Sequence, residues 1–276
     1  MTERADLHIH TTASDGQFSP EQVVEMARNC HLRAIAITDH ETTLGNRPAQ
    51  RAAEGSGLIV VAGVEISTES ALGELHILGY LIDPEADRLE GRLAELRQGR
   101  LKRAQEMLAR LAAVGMPLDW EHVRRLAAGE SVGRPHVARA MVERGYVATT
   151  DEAFALYIGH NGPAYVPRLR VLPTEAIAMI RRARGVAVLA HPLQVYPIVP
   201  ELARAGLQGL ETSYAGYSTE EVSFLEEVAR RNGLICTGGS DFHGPAISAV
   251  EMGAATAPFA TVGELERLRS VPVPKP

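Results

Sequence analysis

Short apolar runs alternate along the chain with stretches in which apolar residues recur every three or four positions. The runs ADLHI (5–9), RAIAIT (33–38), LIVVAG (58–63) and LHILGYL (75–81) predict four strands. GVAVLA (185–190), LQGLET (207–212) and LICTGG (234–239) predict three more. Helical patterns lie between them, so the predicted class is α/β, built from parallel β/α units. Ser19 precedes Pro20 and stands three residues before Gln22, a helix cap with proline in the first turn. Val23, Val24, Met26 and Ala27 then supply the buried face. A second helix is predicted over 174–184, after Pro173, with Thr174 as its cap.

The interval 87–165 carries no strand pattern. Leu89, Leu93, Leu96, Ala104, Met107, Leu108 and Leu111 predict one long helix ending near Gly115. Shorter helices are expected at 119–127, 134–144 and 151–158. The chain therefore divides into a first part, 1–86, a helical insertion, 87–165, and a second part, 166–276. DPEAD and GHNGPAYVPR flank the insertion, and the tail VPVPKP is expected to fray.

Composition narrows the function classes. No run approaches the roughly 18 apolar residues that span a bilayer, and the segment MTERADLHIH lacks the apolar core of a signal peptide. Cys30 and Cys236 form no spaced motif, so neither a disulfide framework nor a cysteine zinc site is expected. Cytoplasm is the expected location. A net charge of −6 argues against coating a long duplex. The insertion holds 12 Arg or Lys against 10 Asp or Glu, a local +2 that leaves −8 for the rest. An acidic body with a mildly basic segment suits a small anionic ligand.

The chemistry collects at strand ends. In DLHIHTTASDG, residues i and i+2 share a strand face, so His8 and His10 can offer two nitrogens to one metal. Asp15 follows in a turn that Gly16 lets fold back. ITDHE brings Asp39 and His40, with Asp39 expected to orient the His40 ring rather than bind metal. GVEIS brings Glu65, and His76 lies within ELHILGY. LAHP brings His191, LETS brings Glu211, and GGSDFHG brings Asp241 and His243. Glu211 alone reads equally well as a surface or salt-bridged carboxylate. His31, His122 and His136 read as structural. Active sites of parallel barrels assemble at the carboxyl ends of their strands, and a rim of this kind predicts a metal cluster. Imidazole and carboxylate without thiolate suit manganese, zinc or iron. The donors exceed what one catalytic zinc uses, so two or three divalent ions are expected, with Glu65 or Asp241 able to bridge.

HxH at the first strand end, TDH at the second, AHP later and SDxH last resemble the PHP (polymerase and histidinol phosphatase) family of metal-dependent phosphoesterases. The resemblance spans most of 5–85 and 166–250. It implies a distorted (β/α)7 TIM-like barrel holding a trinuclear site. Carried over, His8, His10, Glu65 and Asp241 would hold one metal, and Glu65, His76 and His191 a second. Asp15, His40 and His243 would hold the third. Some relatives have histidine where Asp15 stands, which bears on the identity and affinity of that third ion. Manganese is the favoured metal. The insertion, with SVGRPHVARAM and YIGHNGPAYVP, is similar to the subgroup acting on nucleotides, namely 3′,5′-nucleotide bisphosphate phosphatases and 5′-to-3′ exoribonucleases on short RNA.

Arg134 starts a helix after a glycine turn, and His160 and Asn161 lie in a loop, so all three are expected to bind substrate phosphate. The expected reaction is removal of a phosphate from a small nucleotide, adenosine 3′,5′-bisphosphate first, by a metal-bound hydroxide. Asp241 sits among the metals, and His191, His243 or a metal-bound water would protonate the leaving oxygen. The alternatives are a 5′-to-3′ nuclease on short RNA and a non-catalytic metal-bound scaffold. The insertion has too few aromatic residues for a long single-strand track. No lysine sits at a strand end to form the carboxylated bridge of an amide hydrolase.

Overall fold

The alternation in ADLHI becomes strand β1 (Arg4–Ile9), and the capped pattern after it becomes helix α1 (Pro20–Asn29). Ser19 Oγ accepts from the Gln22 N–H at 3.3 Å, and Gln22 Oε1 accepts from the Ser19 N–H at 2.9 Å. The computed structural model describes residues 3–83, 87–127, 132–167 and 171–269. Residues 84–86 of the DPEAD flank and the tail VPVPKP lie outside the described residues. Next come β2 (Ala34–Ile37), α2 (Asn46–Ala53), β3 (Ile59–Ser70) and β4 (Gly73–Tyr80). The helices α3 (Asp87–Ala113), α4 (Trp120–Ala127), α5 (Arg134–Glu143) and α6 (Thr150–Ala153) follow, α6 running into a π-helical turn, Phe154–Ile158. The second part holds α7 (Pro173–Arg182), β5 (Val186–Leu189), α8 (Val199–Arg204), β6 (Gly209–Tyr214) and α9 (Thr219–Arg231). It ends with β7 (Ile235–Gly239), a short β8 (Ala257–Pro258) and α10 (Ala260–Arg269). Helix α7 starts one residue earlier than expected and Thr174 does not cap it; Glu175 Oε2 instead accepts the Leu172 N–H at 3.0 Å.

The strands form one sheet in the order β7-β6-β5-β4-β3-β2-β1-β8. It curls into a nearly closed TIM-like barrel, because Ile9 pairs with Phe242 just past β7 and His10 N–H donates to Phe242 O at 3.0 Å. The approach of β7 to β1 requires glycine at 239, where a Cβ would lie 2.4 Å from the Cβ of His8. The expectation of uniformly parallel strands fails at β4, which pairs antiparallel with both β3 and β5. Only Ala71 and Leu72 separate β3 from β4, and Gly73 takes φ +106°. A two-residue connection permits a hairpin and forbids a parallel crossover. The consequence for the site is direct. Glu65 lies in the middle of a 12-residue strand, and His76 lies in the first half of a strand running the other way. The register sets His76 opposite Ser67, two residues beyond Glu65, so both side chains reach the same rim.

Helix α3, 27 residues and about 40 Å long, belongs to two cores. Leu89, Leu93 and Leu96 pack into the cluster of β3, β4, α7 and α9, whereas Leu108 and Leu111 pack with Val123, Val137 and Met141 of the other helices. The helical segment is thus anchored to the barrel along half of its longest helix. Within it His136 is 1% exposed, and its Nδ1 accepts the Gly133 N–H at 2.9 Å. Burial pushes this imidazole down to about 4; Asp15 opposes, and Arg139 and Arg100 add to the fall. An unfolded chain takes up the corresponding proton near pH 6.5, so stability falls as pH drops from about 6.5 to 4. Asparagine at 136 keeps an acceptor for Gly133 and removes the titration. The expected result for His136→Asn is an acid limb flatter than wild type by up to about 3 kcal/mol, read from urea midpoints at pH 4 to 7. Parallel limbs would refute it.

Candidate metal centre

His8 and His10 leave β1 on one face, both fully buried. The turn after them is folded by Asp39, whose carboxylate accepts from Thr11 N–H at 2.7 Å, Thr11 Oγ1 at 2.8 Å and Ser14 Oγ at 2.6 Å. Asp39 therefore shapes the turn that carries Asp15, and the expectation that it orients the His40 ring is not met. Glycine at 16 closes the same turn, since a Cβ there would lie 2.5 Å from the His10 carbonyl carbon. Three rim residues hold left-handed backbone, Glu41 at φ +49°, His191 at φ +30° and Asp241 at φ +55°. Such strain in non-glycine residues concentrates at functional sites.

Glu65 is the hub. Its Oε1 lies 2.7 Å from His76 Nδ1, 3.5 Å from His8 Nε2 and 3.6 Å from His191 Nε2. Its Oε2 lies 3.0 Å from His40 Nδ1 and 3.2 Å from His10 Nε2. Asp241 Oδ1 stands 3.3 Å from His8 Nε2 and 3.2 Å from His10 Nε2. On the other side, Asp15 lies 3.5 Å from His243, 3.6 Å from His10 and 3.7 Å from His40. All nine residues expected to hold metal are brought together. The groupings differ from the expected partition: His8, His10 and Glu65 converge without Asp241, His10 also joins Asp15, His40 and His243, and His40 in place of His191 joins Glu65 and His76. His191 meets that last group through Glu65 and through the His76 ring, 5.1 Å away centre to centre.

Divalent ions fit this donor set. His8 Nε2, both nitrogens of His10, Asp15 Oδ1, His40 Nδ1 and Glu65 Oε2 are buried without a hydrogen-bond partner. Buried polar atoms are almost always paired, yet these orphans share one space. Two ligands at about 2.1 Å from a common ion lie about 3.0–3.4 Å apart, close to the spacings found. Proton affinities in the metal-free cluster agree. Burial lowers the affinity of His8 and His10, but Glu211, Asp241 and Glu65 hold His8 well above its ordinary range, and Asp241 and Glu65 raise His10 to about 10. Burial likewise opposes the rise of His76 to about 9, which Glu65 drives. Burial takes His40 the other way, to about 3, against the pull of Glu65 and Asp15. Glu65, Asp15 and Asp241 stay ionised despite burial, held low by the surrounding imidazoles. Protons thus occupy in part the places where cations belong, and metal binding must release them.

A layer of fixed partners aims the donors. Glu211, fully buried and not a surface carboxylate, sets Oε1 2.9 Å from His8 Nδ1 and accepts the His191 N–H on Oε2 at 2.7 Å. Tyr214 donates to Asp241 Oδ2 at 2.9 Å, leaving Oδ1 toward the histidines. Asp6 accepts from Ser240 N–H at 2.9 Å and Ser240 Oγ at 2.6 Å. Sequence reasoning also missed Glu41, the residue after His40. It is 2% exposed, pairs with Arg100 of α3, and accepts from Ser67 N–H at 3.0 Å.

Beside the cluster an open cavity of about 540 Å³ lies between the β3–β4 hairpin and the helical segment. Arg134, Arg103, His160 and Tyr165 line it. Arg103 Nε donates to Val166 O at 2.7 Å, and its guanidinium lies 5.8 Å from the Tyr165 ring centre. Asn161, expected beside His160, is exposed and does not line the cavity. His31 is exposed and His122 pairs with Glu143 at 2.9 Å; with His136 they stay outside the cluster.

Among the described residues no helix is long and apolar enough to cross a membrane. Residues 6–90 match the family model described as PHP domain. The chain is 33% identical over 248 residues to a 3′,5′-nucleoside bisphosphate phosphatase of Chromobacterium violaceum, covering 87% of each chain. It is 36% identical over 249 residues to the 5′-3′ exoribonuclease Rnm of Escherichia coli K12, covering 87% of this chain and 85% of that one. A solved structure from Bifidobacterium adolescentis, described as a metal-dependent phosphoesterase, superposes with a TM-score of 0.88 at 33% identity, covering 97% of this chain and 96% of that one. With its barrel, its convergent histidines and carboxylates and relatives of this closeness, the chain belongs to the PHP family of metal-dependent phosphoesterases and is a hydrolase of phosphoester bonds.

Proposed function

We propose that the chain removes the 3′-phosphate of nucleoside 3′,5′-bisphosphates, adenosine 3′,5′-bisphosphate giving AMP and phosphate. The observation carrying this reading is the cavity beside the cluster, where Arg103, Arg134 and exposed His160, set against Glu69 and Glu74, offer N–H donors to a second phosphate on the same small molecule. Its volume lies in the range of single small-ligand sites. His8, His10, Asp15, His40, Glu65, His76, His191, Asp241 and His243 would hold two or three divalent ions, manganese favoured over zinc or iron. When bound, such ions supply Lewis acidity toward phosphoryl oxygens and make their water more acidic. Arg134 and His160 bind the phosphate that is not cleaved and orient the nucleotide. A water oxygen bonds to phosphorus as the P–O3′ bond breaks, and the 3′-oxygen leaves with a proton. That proton comes at the open edge, where the His191 and His243 side chains are 27% and 13% exposed, from whichever of the two holds no ion or from water.

A second reading has a specific support: the Escherichia coli relative, at comparable identity, is an exoribonuclease. The partner would then be a short 5′-phosphorylated RNA in the same cavity. Phosphate and nucleotide release by manganese-loaded enzyme tests both, on adenosine 3′,5′-bisphosphate, 5′-AMP, histidinol phosphate and a 5′-phosphorylated RNA trimer, with His8→Ala as control. One phosphate released from the bisphosphate, leaving 5′-AMP, is the expected result. Cleavage of the trimer alone would transfer the assignment to the nuclease. Arg134→Ala is expected to lower kcat/KM for the bisphosphate about 10–100-fold, the loss of one charge-assisted contact. An equal loss on a substrate with a single phosphate would show that Arg134 does not read the second one.

A further inference from the structure

The strand that carries His76 also carries Glu74, two residues earlier and on the same face. Its Oε1 lies 3.2 Å from His76 Nε2. Its Oε2 accepts from Arg134 Nη2 at 2.7 Å, across 60 residues of chain. The opposite nitrogen of the same ring, His76 Nδ1, is the one at 2.7 Å from Glu65. Glu74 is absent from all three convergent donor groups, whereas His76 belongs to the one with His40 and Glu65. An imidazole that gives one nitrogen to a metal carries its proton on the other, and an acceptor for that N–H fixes both tautomer and ring orientation.

We propose that Glu74 is a positioning residue that holds His76 with Nδ1 toward the metals and ties the ring to Arg134 of the helical segment. Metal affinity at the His40–Glu65–His76 group and the placement of Arg134 are then coupled through one carboxylate. Coupling of this kind is reciprocal: an anion drawing on Arg134 alters the hold of Glu74 on His76, and a bound metal alters the affinity of Arg134 for the anion. The inference rests on the proposed ligand role of His76 and not on the identity of the nucleotide.

The test is titration of chelator-stripped full-length protein with Mn²⁺ alone, in competition with a chromophoric chelator and with no nucleotide present. Glu74→Ala is expected to weaken one class of ion about 10–100-fold, the usual cost of losing a histidine's outer partner, and to leave the others unchanged. Glu74→Gln keeps an acceptor oxygen for His76 but loses the charge that holds Arg134. It should recover most of the metal affinity while KM for the bisphosphate stays raised. Wild-type affinity for every ion in Glu74→Ala would overturn the proposal. So would equal weakening of all ions, or Glu74→Gln no better than Glu74→Ala, since either marks a general structural defect. Thermal unfolding of the stripped variants identifies misfolding. If wild type binds ions but ignores the bisphosphate, the substrate reading fails and this one stands. If the bisphosphate is cleaved and Glu74→Ala binds ions normally, the reverse holds.

Discussion

Glu65→Gln is expected to abolish turnover, with kcat/KM lower by about 10³-fold or more, and to purify with less metal than wild type. Losing even an outer partner of a metal ligand costs about 10–100-fold, and Glu65 is itself a ligand common to two of the three donor groups. Its two oxygens face five histidines, His8, His76 and His191 on one and His10 and His40 on the other. The amide keeps the shape and one acceptor oxygen but places an NH₂ against rings that must present lone pairs to cations. A carboxylate 1% exposed among imidazoles is also, with Asp241 and Glu211, a negative charge that repays their burial. Its loss removes the oxygen ligand shared by two of the three donor groups and a negative charge that offsets the ions, so the cluster should gather fewer of them. Metal content by elemental analysis, set beside activity on whichever phosphoester is cleaved, decides the matter. A variant with full metal content and an activity loss below tenfold would remove Glu65 from the centre of the site. His243→Ala offers the comparison, because it touches Asp15 and Asp241 but not Glu65 and should leave the first ions in place.

Much of this site was legible because its local rules are strict. A strand places i and i+2 together, so HIH at the end of β1 could be placed before any coordinates, and the Ser19–Pro20–Gln22 cap formed as written. What failed was direction. ELHILGY has the alternation of a strand, but alternation is blind to polarity; only the two residues separating β3 from β4 disclosed that β4 runs backwards. The donors still met, because a hairpin returns His76 to the height of Ser67 on the same rim. Residues that hold the ligands were least legible. Glu211 reaches His8 across 203 residues and Arg134 reaches Glu74 across 60. No periodicity encodes such pairs, since they exist only after the barrel closes. Asp39 illustrates the same limit at short range. Adjacent to His40 in sequence, it points through the strand to the Thr11–Ser14 turn.

Arg100→Met is expected to destabilise the protein by about 3–5 kcal/mol and to lower Tm by about 10 °C. Arg100 is 6% exposed, and its guanidinium pairs with Glu41 and donates from Nη2 to Ser67 Oγ at 2.9 Å. One turn earlier on α3, Arg97 donates to the Glu41 carbonyl at 2.9 Å. The long helix therefore grips the rim at the residue that follows His40, where the backbone stands at φ +49°. Methionine fills the stem of the arginine but removes the guanidinium that pairs with the buried Glu41 carboxylate. Removing one partner of a buried pair costs more than removing both. The Glu41→Gln/Arg100→Met double variant should therefore be more stable than Arg100→Met alone, with a coupling of about 1–3 kcal/mol in a urea-unfolding cycle. Because Glu41 is fixed next to His40, Arg100→Met should also weaken the ions that His40 serves while sparing those of His8 and Asp241. Additive single-variant losses would mean that the Glu41–Arg100 pair adds nothing to the hold of α3 on the barrel, and that the rim keeps its shape without it.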